Sequence, residues 1–353
     1  MKSILIALAI ANIIAAPCLA ETYVSGSISS DETWTPSGSP YIIIDSVFVS
    51  QNISLTISAG VTVRFQPGNV TLVTDSGASL YINGTADNPV QFCSNVADPT
   101  PGSYYGLSLN SGSVVTMSYC LIQHASYGLS TAAFIAASNT TIRNCGIGVD
   151  IIGVGGVSGM TIKDNVHSGV FIDQFSYGTI RDCTIENNGV SGVESHYEPG
   201  SGGIVENCTI RNNAGDGIFM AGTVSNCVIN GNDGNGATLI SNSTIEWSTV
   251  SNNLGYGIYF ILRPPDLTST PMAHWNNLFD NGGYEIVADW SCYAPEVDAR
   301  NNYWGTTNAA DIEAWILDHN DDPSLTSIIL YSPFEAQVGT SQWTWGAVKN
   351  AFR

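Results

Sequence analysis

The chain has 353 residues, of which 44% are hydrophobic and only 11% are charged, and its net charge is −20 at pH 7. This acidic balance excludes a typical nucleic-acid binder, because such proteins present a basic surface to the phosphates. Few charged residues and many Gly, Ser, Thr and Asn residues favour a solvated β-rich surface over amphipathic helices.

Residues 1–20 have the form of a secretory signal peptide. Lys2 precedes an apolar run over residues 4–16, and Cys18-Leu19-Ala20 forms a small-residue cleavage site before Glu21. We therefore expect a secreted or extracellular protein, which includes attachment at the cell surface. A lipoprotein anchored at Cys18 is the alternative, although Pro17 directly before it fits that signal poorly. No later stretch reaches the roughly 18 apolar residues of a membrane span.

Residues 41–92 alternate apolar and polar side chains over short segments that glycines interrupt. Val61-Thr62-Val63-Arg64-Phe65 is one such segment, and Gly60 and Gly68 flank it. A period of two residues predicts strands. We interpret this part as the first coils of a stack with loose corners, and residues 98–102 as a loop that leads into regular repeats.

Between residues 122 and 250 the chain repeats one pattern seven times. Each repeat has an apolar anchor, then polar residues rich in Asn, then a Gly followed by a second apolar residue. The anchors are Ile122, Ile142, Ile162, Ile185, Ile210, Ile229 and Val250. Their spacings of 20, 20, 23, 25, 19 and 21 residues predict a solenoid in which each repeat is one turn.

Alternation along each strand predicts which side chains point into the solenoid. The residue two positions before the anchor shares its side, and in four repeats it is Cys120, Cys183, Cys208 or Cys227. We interpret these as a column of buried thiols that act as small apolar groups. One or two disulfides among the seven cysteines of the mature chain are the alternative, and no Cys-x-x-Cys spacing favours zinc.

The Asn-rich corners predict two further columns, since Asn tolerates left-handed backbone angles and can hydrogen-bond from coil to coil. We expect both columns to be structural ladders. The first is predicted to hold Asn144, Asp164, Asn187, Asn212, Asn252 and Asn281, and the second Asn165, Asn188, Asn213, Asn232 and Asn253.

Two stretches flank the repeats and carry a family resemblance. Residues 54–65 read Ser-Leu-Thr-Ile-Ser-Ala-Gly-Val-Thr-Val-Arg-Phe, and residues 301–305 read Asn-Asn-Tyr-Trp-Gly. Together with the repeats they resemble the right-handed parallel β-helix of the pectin-lyase-like superfamily, over residues 41–305. The resemblance implies an all-β solenoid. It does not carry over an activity, because the Asn-Thr-Asp, Gly-His-Gly and Arg-Ile-Lys motifs of polygalacturonase-like members and the arginine cluster of pectate lyases are missing.

The period changes after Gly305. Asn308 is a suitable N-cap for a helix through Leu317, in which Ile312, Trp315 and Ile316 make one apolar stripe that covers the end of the solenoid. We expect one β-helix domain over residues 21–335, including this C-terminal capping helix. Residues 336–353 are expected to form a flexible tail, with a sorting or docking peptide as the alternative.

The strongest candidate site is the outward residue that follows each Gly–apolar pair. Asp150 and Glu194 are two coils apart in this column, so their backbones are predicted to lie about 10 Å apart. Such a pair suits acid and base catalysis on a glycosidic bond with inversion, and Phe171, Phe219 and Tyr259 can stack on sugar rings. We expect these side chains to be solvent-accessible neighbours. The alternative is that they are covered or merely solvated. The full column is Ser130, Asp150, Phe171, Glu194, Phe219, Thr238 and Tyr259.

Two further groups of residues are candidates for binding or catalysis. Arg143 and Lys163 follow successive anchors and could grip a uronate or sulfate or act as a base for β-elimination, unless neighbouring carboxylates simply neutralise them. The longest corner insertion, residues 195–200, holds His196 and Tyr197 beside Glu194. Loops on a rigid scaffold often carry function, so His196 is a candidate catalytic residue and Tyr197 a candidate binding residue. A plain surface histidine is the alternative.

These observations predict a secreted β-helix protein that engages extracellular or cell-surface polysaccharide, as a binding module or as a lyase or hydrolase. A non-catalytic structural surface protein or adhesin is the alternative. We expect a monomer with no nucleic-acid partner and no cofactor. Ca²⁺ is the one open alternative, because Asp and Asn columns offer oxygen ligands, although no dense Asp-x-Asp-Gly loop is present.

Overall fold

The computed structural model describes residues 21–197, 200–261, 270–288, 296–325 and 327–336. The predicted signal peptide, Glu198, Cys292 and the predicted tail from residue 337 onward lie outside the described residues. Within them, strands that pair in parallel wind into a right-handed β-helix of about 11 turns. The predicted fold class is therefore confirmed.

The strand bounds follow in chain order. Before the regular repeats the strands are Thr22–Ile28, Glu32–Trp34, Tyr41–Val49, Ser54–Ser58, Thr62–Phe65, Gly68–Thr74, Ser79–Asn83, Val90–Ser94, Tyr104–Leu109 and Val114–Ser118. In the repeats they are Cys120–Gln123, Ala125–Thr131, Phe134–Arg143, Ile147–Ile151, Val154–Lys163, Val170–Ile172, Tyr177–Arg181, Thr184–Glu186, Val193–Ser195, Gly202–Glu206, Thr209–Arg211, Ile218–Ser225, Val228–Asn230, Ala237–Glu246, Thr249–Ser251 and Ile258–Ile261. The last strands are Met272–His274, Asn277–Phe279, Ile286–Ala288, Glu296–Asp298, Ile316–Leu317 and Ile328–Leu330.

Each coil contributes one segment to each of three faces. The first face holds the anchors, which pair from coil to coil as Ile162 with Ile185 and Ile185 with Ile210. The second face holds the Gly–apolar segments, which pair as Val170 with Val193. The third face follows it and pairs Ile180 with Val205. All seven anchors are fully buried, so the predicted repeat alignment is confirmed.

The glycine of each Gly–apolar pair makes room for the next coil. A methyl group added at Gly192 would lie 2.5 Å from Cγ2 of Ile210 and 2.9 Å from Nδ2 of Asn213. Those two atoms belong to the anchor and the corner of the following coil. The glycine therefore recurs because the coils approach closely there, and not because the backbone turns sharply.

A buried ladder of asparagines connects the coils at the corner between the first and second faces. Each side-chain amide donates to the Oδ1 of the next at 2.9 Å, from Asn165 through Asn188, Asn213, Asn232 and Asn253 to Asn281. The last amide donates to the Glu285 carboxylate, whose burial raises its pKa to about 7. This ladder stabilises the corner because it satisfies buried amides from one coil to the next.

The neighbouring corner position has a left-handed backbone in every coil of the repeats. It carries Asn144, Asp164, Asn187, Asn212, Gly231 and Asn252 in successive coils, followed by Asp280. The prediction for Asn281 was therefore wrong, since Asn281 belongs to the buried ladder and Asp280 takes the left-handed position. Both residues are compatible with a left-handed corner, so the sequence alone left the choice open.

The cysteines two positions before the anchors point inward as predicted. Cys120, Cys183, Cys208 and Cys227 are buried and free, as is Cys145. The thiols of Cys145, Cys183, Cys208 and Cys227 each donate to the backbone carbonyl two residues earlier, for example Cys208 to Glu206 at 3.2 Å. The buried-thiol interpretation is confirmed, and the six cysteines within the described residues form no disulfide.

The C-terminal helix is shorter than predicted. It runs over Ala309–Glu313, and the Asn308 side chain caps it by accepting from the Ala310 amide at 3.1 Å. The helix ends early because Ile316–Leu317 pairs as a strand with Ile286–Val287. The predicted apolar stripe is also incomplete, since Ile312 and Ile316 are buried but Trp315 is exposed.

Replacing Asn232 by alanine is expected to destabilise the solenoid by about 3 kcal/mol, because it removes the acceptor of both the backbone and the side-chain N–H groups of Asn213 and one donor to the Asn253 Oδ1, all of them buried. Asp233→Ala is the matched control, because that neighbouring side chain is exposed and should change the stability by less than about 0.5 kcal/mol. The unfolding midpoints in urea measure both effects. Equal midpoints for the two variants would contradict a stabilising ladder.

The buried thiols should resist iodoacetamide until the protein unfolds. Burial raises the pKa of the Cys145 thiol to about 12 and also raises the pKa of Cys120, and a hydrogen bond with Cys208 together with burial raises the pKa of Cys183, so little reactive thiolate forms. Cys93 is only half-buried and should react first. Peptide mass spectrometry of the native and the urea-unfolded protein gives the order in which the cysteines are alkylated. Rapid labelling of Cys208 in the native protein would contradict the assignment of a buried thiol.

Candidate functional site

The outward column of the second face is assembled as the sequence predicts. Asp150 pairs with Phe171, Phe171 with Glu194, and Glu194 with Phe219. The column continues through Thr238 to Tyr259. Asp150 and Glu194 therefore flank Phe171 on successive strands, with their backbones about 10 Å apart from the strand spacing.

Asp150 is buried in this column, with only 8% of its surface exposed. Burial raises the pKa of its carboxyl to about 6, the nearby carboxylate of Asp173 raises it further, and the Ser130 hydroxyl opposes the shift. Ser130 donates to Asp150 at 3.5 Å. A carboxyl group with such a pKa can hold a proton near neutral pH and release it during a reaction.

Glu194 is half-buried and differs from Asp150 in its partners. The hydroxyl of the buried Ser168 donates to its Oε2. A hydrogen bond of this kind orients the carboxyl group. The two acidic groups of the column therefore have distinct environments.

Aromatic side chains extend along the same face. Phe171, Phe219 and Tyr259 are half-buried and occupy alternate coils of the column. Tyr197 packs against Phe219 with ring centroids 5.9 Å apart, and Tyr256 meets Tyr259 edge to face at 5.8 Å. The exposed ring surface forms an elongated strip along the solenoid axis.

The predicted accessibility of this column holds only in part. Phe171, Glu194 and Phe219 keep some exposed surface, but Asp150 is buried. The sequence pattern missed this burial because it depends on groups outside the column. Tyr127 lies near enough for Asp150 to raise the pKa of its phenol.

His196 lies at the edge of the second face. It follows Ser195, which pairs with Ile172, so His196 is aligned with Asp173 of the preceding coil. Its Nδ1 and the Ser195 hydroxyl are both buried without a hydrogen-bond partner among the described residues. Unpartnered buried polar atoms are uncommon in native proteins. The Nδ1 of His196 leaves an unfilled polar requirement near Glu194, whereas Ser195 shares the inward register of Ile172.

Arg143 and Lys163 are not part of this site. They pair with each other on the first face, across the Asn corner from Asp150. Lys163 lies 3.6 Å from Asp164, whereas Arg143 donates to Gln123 at 3.4 Å. The expected neutralisation by carboxylates therefore applies to Lys163.

A pair of stacked tryptophans was not foreseen. Trp247 and Trp275 are stacked 4.9 Å apart at the corner before the first face, and Trp247 is 44% exposed. Both have left-handed backbones at a position that other coils fill with Asn207 or Asn226. The signal was available in the sequence, since a tryptophan directly before the inward column replaces a small polar residue in these two coils.

The described residues contain no group of three or more His, Cys, Asp or Glu side chains placed to hold a metal ion. No helix in the same ranges has the length and hydropathy of a membrane span.

Comparisons with known proteins identify the architecture. The sequence profile described as "Right handed beta helix region" matches residues 79–199 and 147–303. A mutant of the periplasmic alginate epimerase AlgG is similar in structure, with a TM-score of 0.52, 15% identity, and coverage of 75% of this chain and 77% of the other. The A-module of the mannuronan C-5 epimerase AlgE6 of Azotobacter vinelandii has a TM-score of 0.54, 12% identity, and coverage of 90% and 88%. The curated proteins include no match to this sequence.

Proposed function

Because the chain belongs to the right-handed β-helix family, we propose that its second face binds a polysaccharide chain along the solenoid axis. One observation carries the proposal. Phe171, Phe219 and Tyr259 lie on alternate coils of one outward column, so their backbones repeat at about 10 Å. Half-buried rings at a regular spacing suit the stacking of successive sugar units of an extended chain.

The polar groups beside the rings support the same ligand. The Glu194 and His196 side chains offer hydrogen-bonding atoms next to Phe171 and Phe219. Sugar recognition combines apolar ring contacts with a few placed polar groups. The similar alginate and mannuronan epimerases are named for acting on polysaccharides, which agrees with this choice of ligand, although at such low identity the likeness extends only to the fold.

Acid and base catalysis is the second candidate, and the buried Asp150 favours it. A carboxyl group with a pKa of about 6 destabilises the folded protein above that pH, and nothing in the architecture of a coil requires it. As a general acid it would protonate a leaving glycosidic oxygen, while Glu194 activates water from two strands away. A purely structural surface protein gains nothing from this buried carboxyl.

We also propose that the protein is exported from the cell. The sequence of residues 1–20, which lie outside the described residues, supports this export. N-terminal sequencing of the protein recovered from its native host should read Glu21 first. Recovery of the protein with residues 1–20 still attached would contradict the assigned cleavage site.

Phe171→Ala should weaken binding of a matching oligosaccharide by about 1–3 kcal/mol, the usual effect of removing an aromatic contact at a binding hot spot. Phe134→Ala is the control, because Phe134 is an exposed phenylalanine on the third face. A glycan array selects the ligand and titration calorimetry measures both variants. Equal affinities would remove the second face as the binding site.

Asp150→Asn should abolish turnover if Asp150 is the general acid, and in the unmodified enzyme the rate should fall as the pH rises through about 6. Glu194→Gln should abolish turnover and leave binding nearly intact. Reducing-sugar and unsaturated-product assays detect hydrolysis and elimination separately. Full activity in both variants would rule out this carboxylate pair.

The same variant has a stability readout that does not depend on activity. The folded pKa of Asp150 is raised, so its contribution to stability is fully present below pH 4 and is lost as the pH rises through about 6. Asp150→Asn should remove up to about 3 kcal/mol of that loss. Urea unfolding at pH 4 and pH 8 tests this, and an unchanged pH dependence would mean that Asp150 is not buried as described.

A further inference from the structure

A pocket of about 440 Å³ lies on the first face, away from the aromatic strip. Residues 94–97 and Pro99 line it together with Arg64, Cys93, Gln123 and His124. Its volume is in the range of small-molecule sites. The pocket includes none of the residues assigned above to the second face.

Unpaired positive charge is concentrated at this pocket. The described residues include six lysine and arginine side chains. Four of them form ion pairs: Lys163 with Asp164, Arg181 with Glu206, Arg211 with Glu186 and Arg300 with Asp298. The two without a carboxylate within ion-pair distance are Arg64 and Arg143. In a chain of net charge −20, cations left unpaired beside one pocket indicate a ligand that supplies the negative charge.

The two guanidinium groups belong to one outward column. Arg64 pairs with Cys93 of the next coil, and Cys93 is followed in register by Gln123 and Arg143. Arg64 lines the pocket and interacts with the Cys93 thiol, where it opposes the burial that raises the pKa of the thiol. Arg143 does not line the pocket itself, but it donates to Gln123, which does.

His124 lines the pocket from the corner of the first face. It has φ of 69° at the left-handed corner that the following coils fill with Asn144 and Asp164, a backbone region that histidine tolerates as Asn and Asp do. Burial lowers the pKa of its imidazole and the charge of Arg143 lowers it further.

Buried polar atoms at the same place lack partners. The Ser94 hydroxyl, Nδ1 of His124 and Nε of Arg143 are buried with no hydrogen-bond partner in the described part of the chain. These atoms come from three successive coils, and Ser94 and His124 line the pocket, whereas Arg143 adjoins it through Gln123. The Ser94 side chain shares the inward register of Phe65, so the donors available to a ligand are the His124 imidazole and the two guanidinium groups, which match the oxygens of a tetrahedral or planar oxyanion.

We propose that this pocket binds an oxyanion group, a sulfate, phosphate or carboxylate, either free or carried by a saccharide. Arg64 and Arg143 neutralise the charge, and His124 donates a hydrogen bond to one of the remaining oxygens. The site is independent of the polysaccharide face and does not require that face to bind anything.

Cys93 provides a direct reporter, because its half-buried thiol lines the pocket. In the full chain, inorganic sulfate and inorganic phosphate should each be titrated against the rate of Cys93 alkylation by uncharged iodoacetamide, with sodium chloride at matched ionic strength as the control. A sulfated oligosaccharide, an oligouronate and a neutral oligosaccharide form the other arms. Protection by the inorganic ions indicates a free oxyanion, and protection only by the acidic saccharides indicates a carried one.

Arg64→Gln and Arg143→Gln should each weaken this protection at least about tenfold, the effect of losing a charge-assisted hydrogen-bond pair. Arg181→Gln removes a paired cation on the third face and should leave it unchanged. Circular dichroism without ligand confirms that the variants fold, and Arg64→Lys, which keeps the charge, should retain part of the affinity. Protection that survives in Arg64→Gln, or no protection by any of the anionic probes, overturns the proposal.

Discussion

The structure depends on the buried asparagine ladder at the corner between the first and second faces. Each amide must both donate and accept at 2.9 Å, so a coil that shifted by one residue would leave several buried polar groups without partners. The glycine opposite each ladder residue permits that approach, since a methyl group at Gly192 would meet Ile210 and Asn213. The ladder and the glycine together fix one register for every coil in the repeats.

Because every coil has the same register, residues at equivalent sequence positions stack into columns. Function then depends on which residues occupy the outward columns. On the second face, aromatic rings and carboxylates alternate, and the ladder neither requires nor opposes them. On the first face, the same register places Arg64, Cys93, Gln123 and Arg143 in one line. The scaffold therefore tolerates different outward residues, and a departure such as the buried Asp150 is informative because the fold does not require it.

The repeat pattern predicted the anchors, the inward thiols and the order of the outward column, because period and alternation determine all three. It failed where the answer depends on contacts between distant residues. Asn281 and Asp280 are both acceptable at a left-handed corner, and only the position of Glu285 and the last coils decides between them. The helix was predicted too long, since the pairing of Ile316 with Ile286 is not visible in the local pattern. The pocket at Arg64 was missed because residues 94–97 and Pro99, which line it, have no repeat periodicity.

The two proposed sites differ in the way they offset the acidity of the chain. A net charge of −20 repels anions at long range, although salt at physiological strength screens that repulsion beyond about 8 Å. A neutral sugar on the aromatic strip is insensitive to it, because ring stacking carries little net charge. An oxyanion must instead be held by close, partly desolvated contacts, and Arg64, Arg143 and His124 lie where such contacts are available. The neutral ladder between the faces adds no charge to either site, so each face can act on its own ligand without the other.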